Sequence, residues 1–440
     1  MDTELLYDRF LECCGVVTDS RRCAEGTMFF ALKGERFDGN SFVKAALDQG
    51  CLYSVMDDPE RYDSSDGRMI LVPDALKALQ DLAALHRRRL GIPVIGVTGT
   101  NGKTTTKELL VAVLSRSYRV GATQGNLNNQ IGVPLTILGL DGTKELAVVE
   151  MGASHPHDIE ELVDISQPDY GLITNVGKAH LLGFGSFEGV IRTKGELYDW
   201  IREHGGKVFM NTGNVYLAGM ATGLDVMGYR NVAEECQASV SGTDIVTGRV
   251  LACDPFLELG WSVPGGVEHN VKTRLIGAYN IDNALSAIAA GVFFNVPEGE
   301  ICSALEGYEP SNNRSQFIDT GRNHLIMDAY NANPTSMKAA VDNFGHMRAE
   351  HKMVILGDMR ELGNASVMEH ERVIGLLDSN DFETVWLVGE EFRKTAGGKY
   401  RCFGNVDELK ALLSESSVEG RTILIKGSNS IKLTELREYL

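Results

Sequence analysis

The chain has 440 residues, 43% of them hydrophobic and 23% charged, which excludes a disordered, collagen-like or coiled-coil protein and leaves room for about three domains. Lys and Arg number 42 against 60 Asp and Glu, for a net charge of −18. Such a surface repels phosphate backbones and anionic lipid, so nucleic acid and membrane are poor partners, while a small anion in a locally basic cleft is still allowed. The eight cysteines (13, 14, 23, 51, 236, 253, 302 and 402) form no C-x-x-C pair. Zinc and thioredoxin-type readings therefore lack support, and the scatter points to a reducing compartment. The start, MDTELLYDRFLE, has no apolar signal core. No apolar run reaches about 18 residues. The expectation is a cytoplasmic protein without membrane insertion.

Residues 1–90 alternate short apolar runs with polar turns, as a small α/β domain does. A helix predicted over 73–90 closes it, and its terminal Arg87, Arg88 and Arg89 read as a solvated helix end. The second domain is placed at 91–311. Strands are expected at 93–97, 146–150, 171–174 and 207–210 with helices between them, which argues for a mostly parallel, helix-covered sheet. Residues 243–276 read as a β-rich, antiparallel addition, and 309–313 as a linker. The third domain, 312–440, resumes the alternation. Its strands are expected at 324–328, 353–356, 384–388 and 421–425, and its helices start near Pro334, Ala365, Asp407 and Lys432. That is a Rossmann-like pattern whose strand-end turns gather at one sheet edge. The fold class is therefore α/β in three domains.

The strongest chemical signal is Gly99-Thr100-Asn101-Gly102-Lys103-Thr104-Thr105-Thr106, between a buried-type strand and an amphipathic helix. Backbone N–H groups and the helix N-terminus cradle phosphates in such a P-loop. Lys103 would meet the terminal phosphates and Thr104 would offer its hydroxyl to Mg²⁺. Val97 stands where the general pattern has its first glycine, so the loop is a variant. Glu150 ends the strand LAVVE, where a carboxylate beside a P-loop suits Mg²⁺ or else caps the next element. His180 follows another strand, beside Asn175 and Lys178, and is either structural or part of the metal and phosphate site.

Lys194 lies on the apolar stripe of a helix capped by Ser186, formed by Phe187, Val190, Ile191, Tyr198 and Ile201. An ammonium there must snorkel, pair or be modified. Desolvation lowers its pKa and makes the amine a nucleophile towards CO₂. Asn280 and Asn283 open an Ala-rich helix, where amides read a purine edge or cap the helix. Arg314 follows the linker, as a surface ion pair or as a phosphate contact across a cleft.

Together these residues resemble the Mur ligases, ATP-dependent amide-forming enzymes of peptidoglycan assembly, over essentially the whole chain. The resemblance makes GTNGKTTT the family's P-loop, with Gly99 to Thr105 contacting ATP. It makes Glu150 and His180 magnesium-site residues, and Lys194 the lysine the family carbamoylates. Asn280 and Asn283 would lie near the base, with Arg314 and Asp328 as third-domain ATP contacts. The strings FFALKGERFDGNSF (29–42), GNLNNQIGVPLT (125–136), DAYNANPTSM (328–337) and LGDMRELG (356–363), with His370 beyond, are similar to the branch that adds D-alanyl-D-alanine.

This branch implies an acid–D-amino-acid ligase joining D-alanyl-D-alanine to UDP-N-acetylmuramoyl-tripeptide through an acyl phosphate, with ATP and two Mg²⁺. The catalytic residues would be Lys103, His180 and carbamoylated Lys194, in a monomer. Ser20, Arg21 and Lys33 would hold the UDP end. Asn126, Asn128 and Asn129 would face the sugar and peptide, although they also read as a polar turn. Asn331 and Asn333 would serve the substrates from the third domain. Asn40, Asn313 and Asn429 depart from the branch, which commonly has His, Gly and Arg there. The alternatives are a sister ligase adding the third amino acid, a folate polyglutamylator, a P-loop switch or kinase, and a non-catalytic nucleotide-binding scaffold.

Overall fold

The computed structural model describes residues 2–35, 37–232, 243–311 and 313–440. Cys236 and the linker residue Asn312 lie outside them. Three sheets define three domains. The first has four parallel strands in the order Gly15–Val17, Thr27–Phe30, Tyr53–Met56, Met69–Leu71. The second has nine, in the order His269–Ile276, Phe256–Ser262, Asp244–Cys253, Asp225–Asn231, Lys207–Asn211, Tyr170–Ile173, Val94–Thr98, Leu146–Glu150, Val120–Ala122. The third has six, in the order Gln316–Asp319, His324–Asp328, Thr422–Lys426, Lys352–Gly357, Thr384–Val388, Arg401–Phe403; only its first pair is antiparallel.

The central strands are near-continuous apolar runs because helices cover both faces. Side chains alternate between the two sides. Val94, Ala147 and Val149 enter one core, and Ile95, Val97, Leu146 and Val148 the other. The second core holds the P-loop helix Lys103–Leu114 against the Ala-rich helix Ile281–Phe293. A Cβ at Gly291 would stand 2.6 Å from Val113, so only glycine allows that approach. The first core continues without a break into the first domain. Leu6, Phe10, Met28, Leu79 and Leu82 share it with Val133, Ile159 and Ile201.

Helix Ala75–Leu90 makes that junction. Asp74 caps it, accepting the Lys77 N–H at 2.9 Å, and Gly91 ends it at φ 64°. The solvated end expected for its arginine run holds for Arg88 and Arg89 but not for Arg87. Arg87 is buried, donating to the Ser166 carbonyl at 3.0 Å and to Asp169 at 2.7 Å. The guanidinium closes the carbonyls at the end of helix Asp158–Ser166, a demand that belongs to another element.

Two expectations are refined. Asp244–Cys253 continues the parallel ladder on Asp225–Asn231, so only the last two strand pairings of the central sheet are antiparallel, and Phe256–Ser262 is the strand that runs against the others. The helix expected near Lys432 is two short 3₁₀ turns, Asn429–Ile431 and Leu433–Glu438. The third domain has a core on each face of its sheet, and one of them takes in Ile276 of the central domain. It meets the central domain partly through polar contacts, such as the Arg348 N–H on Asp254 at 3.0 Å. Among the described residues no helix is long and apolar enough to cross a membrane.

Candidate active site

Strands Val94–Thr98, Leu146–Glu150 and Tyr170–Ile173 end side by side, so the loops after them converge. In the third domain His324–Asp328 and Thr422–Lys426 end facing the same space. The two carboxyl edges enclose a cleft of about 1020 Å³, where α/β sheets bind ligands.

The P-loop forms its floor. Gly99 and Gly102 have φ 141° and 79°, and Cβ atoms there would lie 2.0 Å from Thr174 Oγ1 and 2.5 Å from Asn283 Oδ1. Lys103 folds back over the loop and donates to the carbonyls of Gly99 at 2.7 Å and Thr100 at 3.2 Å. Burial pulls its ammonium down to about 8, with Glu150 opposing and Arg314 adding to the effect. Thr104 donates to Glu150 Oε2 at 2.7 Å, and Asn128 donates to Oε1 at 2.8 Å. Glu150 is therefore a buried carboxylate with both oxygens oriented into the cleft floor.

Lys194 lies on helix Phe187–His204, capped by Ser186 on the Gly189 N–H at 3.1 Å. It is buried among Val190, Leu197 and Tyr198 on that stripe. Its Nζ sits 5.8 Å from the centre of the Phe184 ring. Burial drives its pKa well below the usual lysine value; Lys103 adds to this, against Asp158 and Glu196. His180, in left-handed backbone at φ 51°, has Nδ1 against Glu361 of the third domain. Its own pKa is lowered, mainly by burial.

Arg314 stacks on Tyr330 at 3.9 Å. Asn313 before it has φ 56°, a conformation asparagine tolerates in place of glycine. Asp328 accepts from Lys426 Nζ at 2.6 Å and from the Ser315 N–H at 3.3 Å.

Thr100, Asn101, Gly102, Lys103, Thr105, Asn128, Asn129, Glu150, His180, Asn280, Asn283, Arg314, Asp328 and Asn331 all border the cleft. Several amides there are already engaged. Asn283 accepts from Thr106 at 3.1 Å and donates to Asn280 at 2.8 Å, and Asn280 donates to the Ile276 carbonyl. Asn129 accepts the N–H groups of Ile131 at 3.2 Å and Gly132 at 2.9 Å in the turn that leads into helix Gly132–Leu138. Asn333 reaches the P-loop residue Asn101 at 2.7 Å.

Asn126 is exposed and does not border the cleft. Ser20, Arg21 and Lys33 are in the first domain, away from it. Arg21 is 87% exposed and paired with Asp19 at 2.7 Å, and Lys33 pairs with Asp57 at 2.9 Å. Asn40 is buried and binds Asp38 at 2.8 Å and Asp57 at 2.9 Å. His370 is buried: it donates to the Ser366 carbonyl at 2.7 Å and accepts the Met359 N–H at 3.1 Å, shaping the loop that carries Glu361. Sequence reasoning overlooked Lys426 and Glu361. Lys426 ends the buried strand TILIK, the same signal that marks Glu150; Glu361 gives no local signal.

Residues 13–87 match the description "Mur ligase family, catalytic domain", 97–291 "Mur ligase middle domain" and 313–429 "Mur ligase, glutamate ligase domain". The chain belongs to the Mur ligase family. It is 36% identical to the UDP-N-acetylmuramoyl-tripeptide--D-alanyl-D-alanine ligase of Bacillus subtilis (strain 168), over 96% of this chain and 92% of that protein. It is 33% identical to the ligase of the same name from Escherichia coli (strain K12), over 96% and 92%. Its fold is similar to a crystal structure of MurF from Acinetobacter baumannii, with TM-score 0.85, 29% identity, and 99% and 98% of the chains covered. It is also similar to a MurF ligase from Thermotoga maritima in complex with ADP, with TM-score 0.83, 25% identity, and 98% and 97% covered.

Proposed function

We propose that the chain uses ATP to join D-alanyl-D-alanine to UDP-N-acetylmuramoyl-tripeptide, giving the pentapeptide, ADP and phosphate. The observation that carries this reading is the facing of two carboxyl edges, with Lys103, Glu150 and His180 on one side and Arg314, Asp328 and Lys426 on the other. End-to-end similarity to ligases of that name supports the substrate choice.

A carboxylate is a poor electrophile, so the γ-phosphoryl group of ATP converts it to an acyl phosphate. The P-loop N–H groups and Lys103 hold the charge on the transferring group. Arg314 faces it from the third domain. The amine of D-alanyl-D-alanine then attacks the acyl carbon, and phosphate leaves from the tetrahedral intermediate.

Glu150 and Thr104 are hard oxygen donors, already oriented, and fit Mg²⁺ that takes its other ligands from phosphate and water. Among the described residues no group of three or more His, Cys, Asp or Glu is arranged to hold a metal alone, as a phosphate-shared Mg²⁺ site requires none. When bound, the ion would neutralise charge on the phosphates. At the second position, His180 and an unmodified Lys194 offer nitrogen and a cation, a poor set for a hard metal. A carbamate on Lys194, formed from the neutral amine and CO₂ with release of one proton, would supply the missing anionic oxygen. Burial favours that neutral amine, and the nearby Lys103 cation adds to the effect.

Purified protein with ATP and Mg²⁺ should release phosphate only when the UDP-muramoyl-tripeptide and D-alanyl-D-alanine are both present. Release with the dipeptide replaced by a single amino acid, on a UDP-muramoyl-dipeptide, would identify a sister ligase instead. ATP binding without release under every condition would indicate a scaffold.

A further inference from the structure

We propose that Asn333 is a positioning residue that fastens the phosphate-binding loop to the third domain. Only the turnover arm of its test rests on the functional reading above. Asn333 is the N-cap of helix Pro334–His346. Its Oδ1 accepts the Ser336 N–H at 2.9 Å, and Ser336 Oγ accepts the Asn333 N–H at 3.1 Å. Capping uses the side-chain oxygen alone, and serine, threonine or aspartate would serve equally well. The amide nitrogen has a different partner, Asn101 Oδ1 at 2.7 Å in the central domain, and Asn333 is buried.

Asn101 lies between Gly99 and Gly102, and its peptide groups are already held. Its N–H donates to Asn175 Oδ1 at 3.0 Å. Its carbonyl accepts from Thr174 Oγ1 at 2.6 Å and Asn175 Nδ2 at 3.0 Å. The side chain is thus the handle by which a second domain can grip this residue. The seam is close beyond the one bond, since a Cβ on Gly177 would stand 3.3 Å from Thr335 Oγ1. Arg314, Asp328 and Lys426 belong to the domain that carries Asn333, and all border the same cleft. Fastening Asn333 to Asn101 sets the distance between those groups and the cradle for the phosphates. Positioning of this kind matters most where reacting groups must align.

Asn333→Ser separates the cap from the interdomain bond, because serine caps the helix but cannot reach Asn101. The expected result is an unchanged thermal midpoint, ADP affinity within about twofold of the parent, and kcat lowered about five- to tenfold, the weight of one neutral hydrogen bond. Asn101→Ala, which keeps every backbone bond of that residue, should lower kcat similarly. The double variant should be no worse than either single one. Parent-like kcat in Asn333→Ser, or losses that multiply in the double variant, would overturn the proposal. If the parent itself turns over no UDP-muramoyl substrate, the functional reading fails separately. Hydrogen exchange of residues 99–102 then decides: faster exchange in Asn333→Ser supports the fastening, and unchanged exchange refutes it.

Discussion

Lys194 concentrates the chemistry of the site in one side chain. A lysine 2% exposed, with an aromatic ring as its described contact, sits in surroundings that disfavour an ammonium. Its helix position alone carries that reading, since Val190 and Tyr198 flank it on the same stripe. What could not be read was the second cation: Lys103 is distant in sequence and lowers the Lys194 pKa further. Lys194→Ala should lose about 10²-fold or more in turnover, the size of a lost transition-state contact, while ADP binding persists through the P-loop. Acetate or propionate should restore part of the rate by placing a carboxylate in the vacated space. Normal turnover in the variant, measured as phosphate release, would reduce Lys194 to a buried structural lysine.

Helix Ala75–Leu90 shows how an element in one domain is set by another. His86 is buried on it, its ring accepting or donating at Tyr7 (3.2 Å) and meeting the Leu140 carbonyl at 2.8 Å. A neutral ring satisfies both partners, with Nε2–H on the carbonyl and Nδ1 accepting the phenol hydrogen. Burial holds the His86 pKa below the ordinary histidine value, the Leu140 bond opposing it. The unfolded chain therefore takes up a proton near about pH 6.5, before the folded one does. The contribution of His86 is complete above that pH. It is lost as pH falls towards the folded value, by at most about 1.4 kcal/mol per pH unit. The stability gap between parent and His86→Gln, measured in urea, should narrow between about pH 7.5 and 5.5; a constant gap would count against the assignment.

Across the whole molecule the two domain junctions differ in kind. The first and central domains share one hydrophobic core, whereas the third meets the P-loop region through side-chain contacts such as Asn333 with Asn101 and Glu361 with His180. Ile276 and Phe256 of the central domain add an apolar contact with the third-domain core, yet the polar pairs at the cleft re-form in water more cheaply than a shared core, so the third domain is the natural moving part. An ATP analogue together with the UDP-substrate should lower the radius of gyration in solution scattering relative to the free protein. An unchanged radius with both ligands demonstrably bound would contradict this.

Local chemistry alone determined the α/β class, the P-loop and its helix, and the strand-end carboxylate Glu150. Each rests on periodicity or on a few adjacent residues, and these act over one turn or one strand. The resemblance carried by GTNGKTTT and DAYNANP added the family. Tertiary structure alone decided that Arg87 closes a foreign helix end, that Asn283 grips Thr106, and that Glu361 faces His180. In each case the partner lies tens to hundreds of residues away. The hydrogen-bonding demand that selects it arises only once the backbone has brought two elements together and excluded water between them.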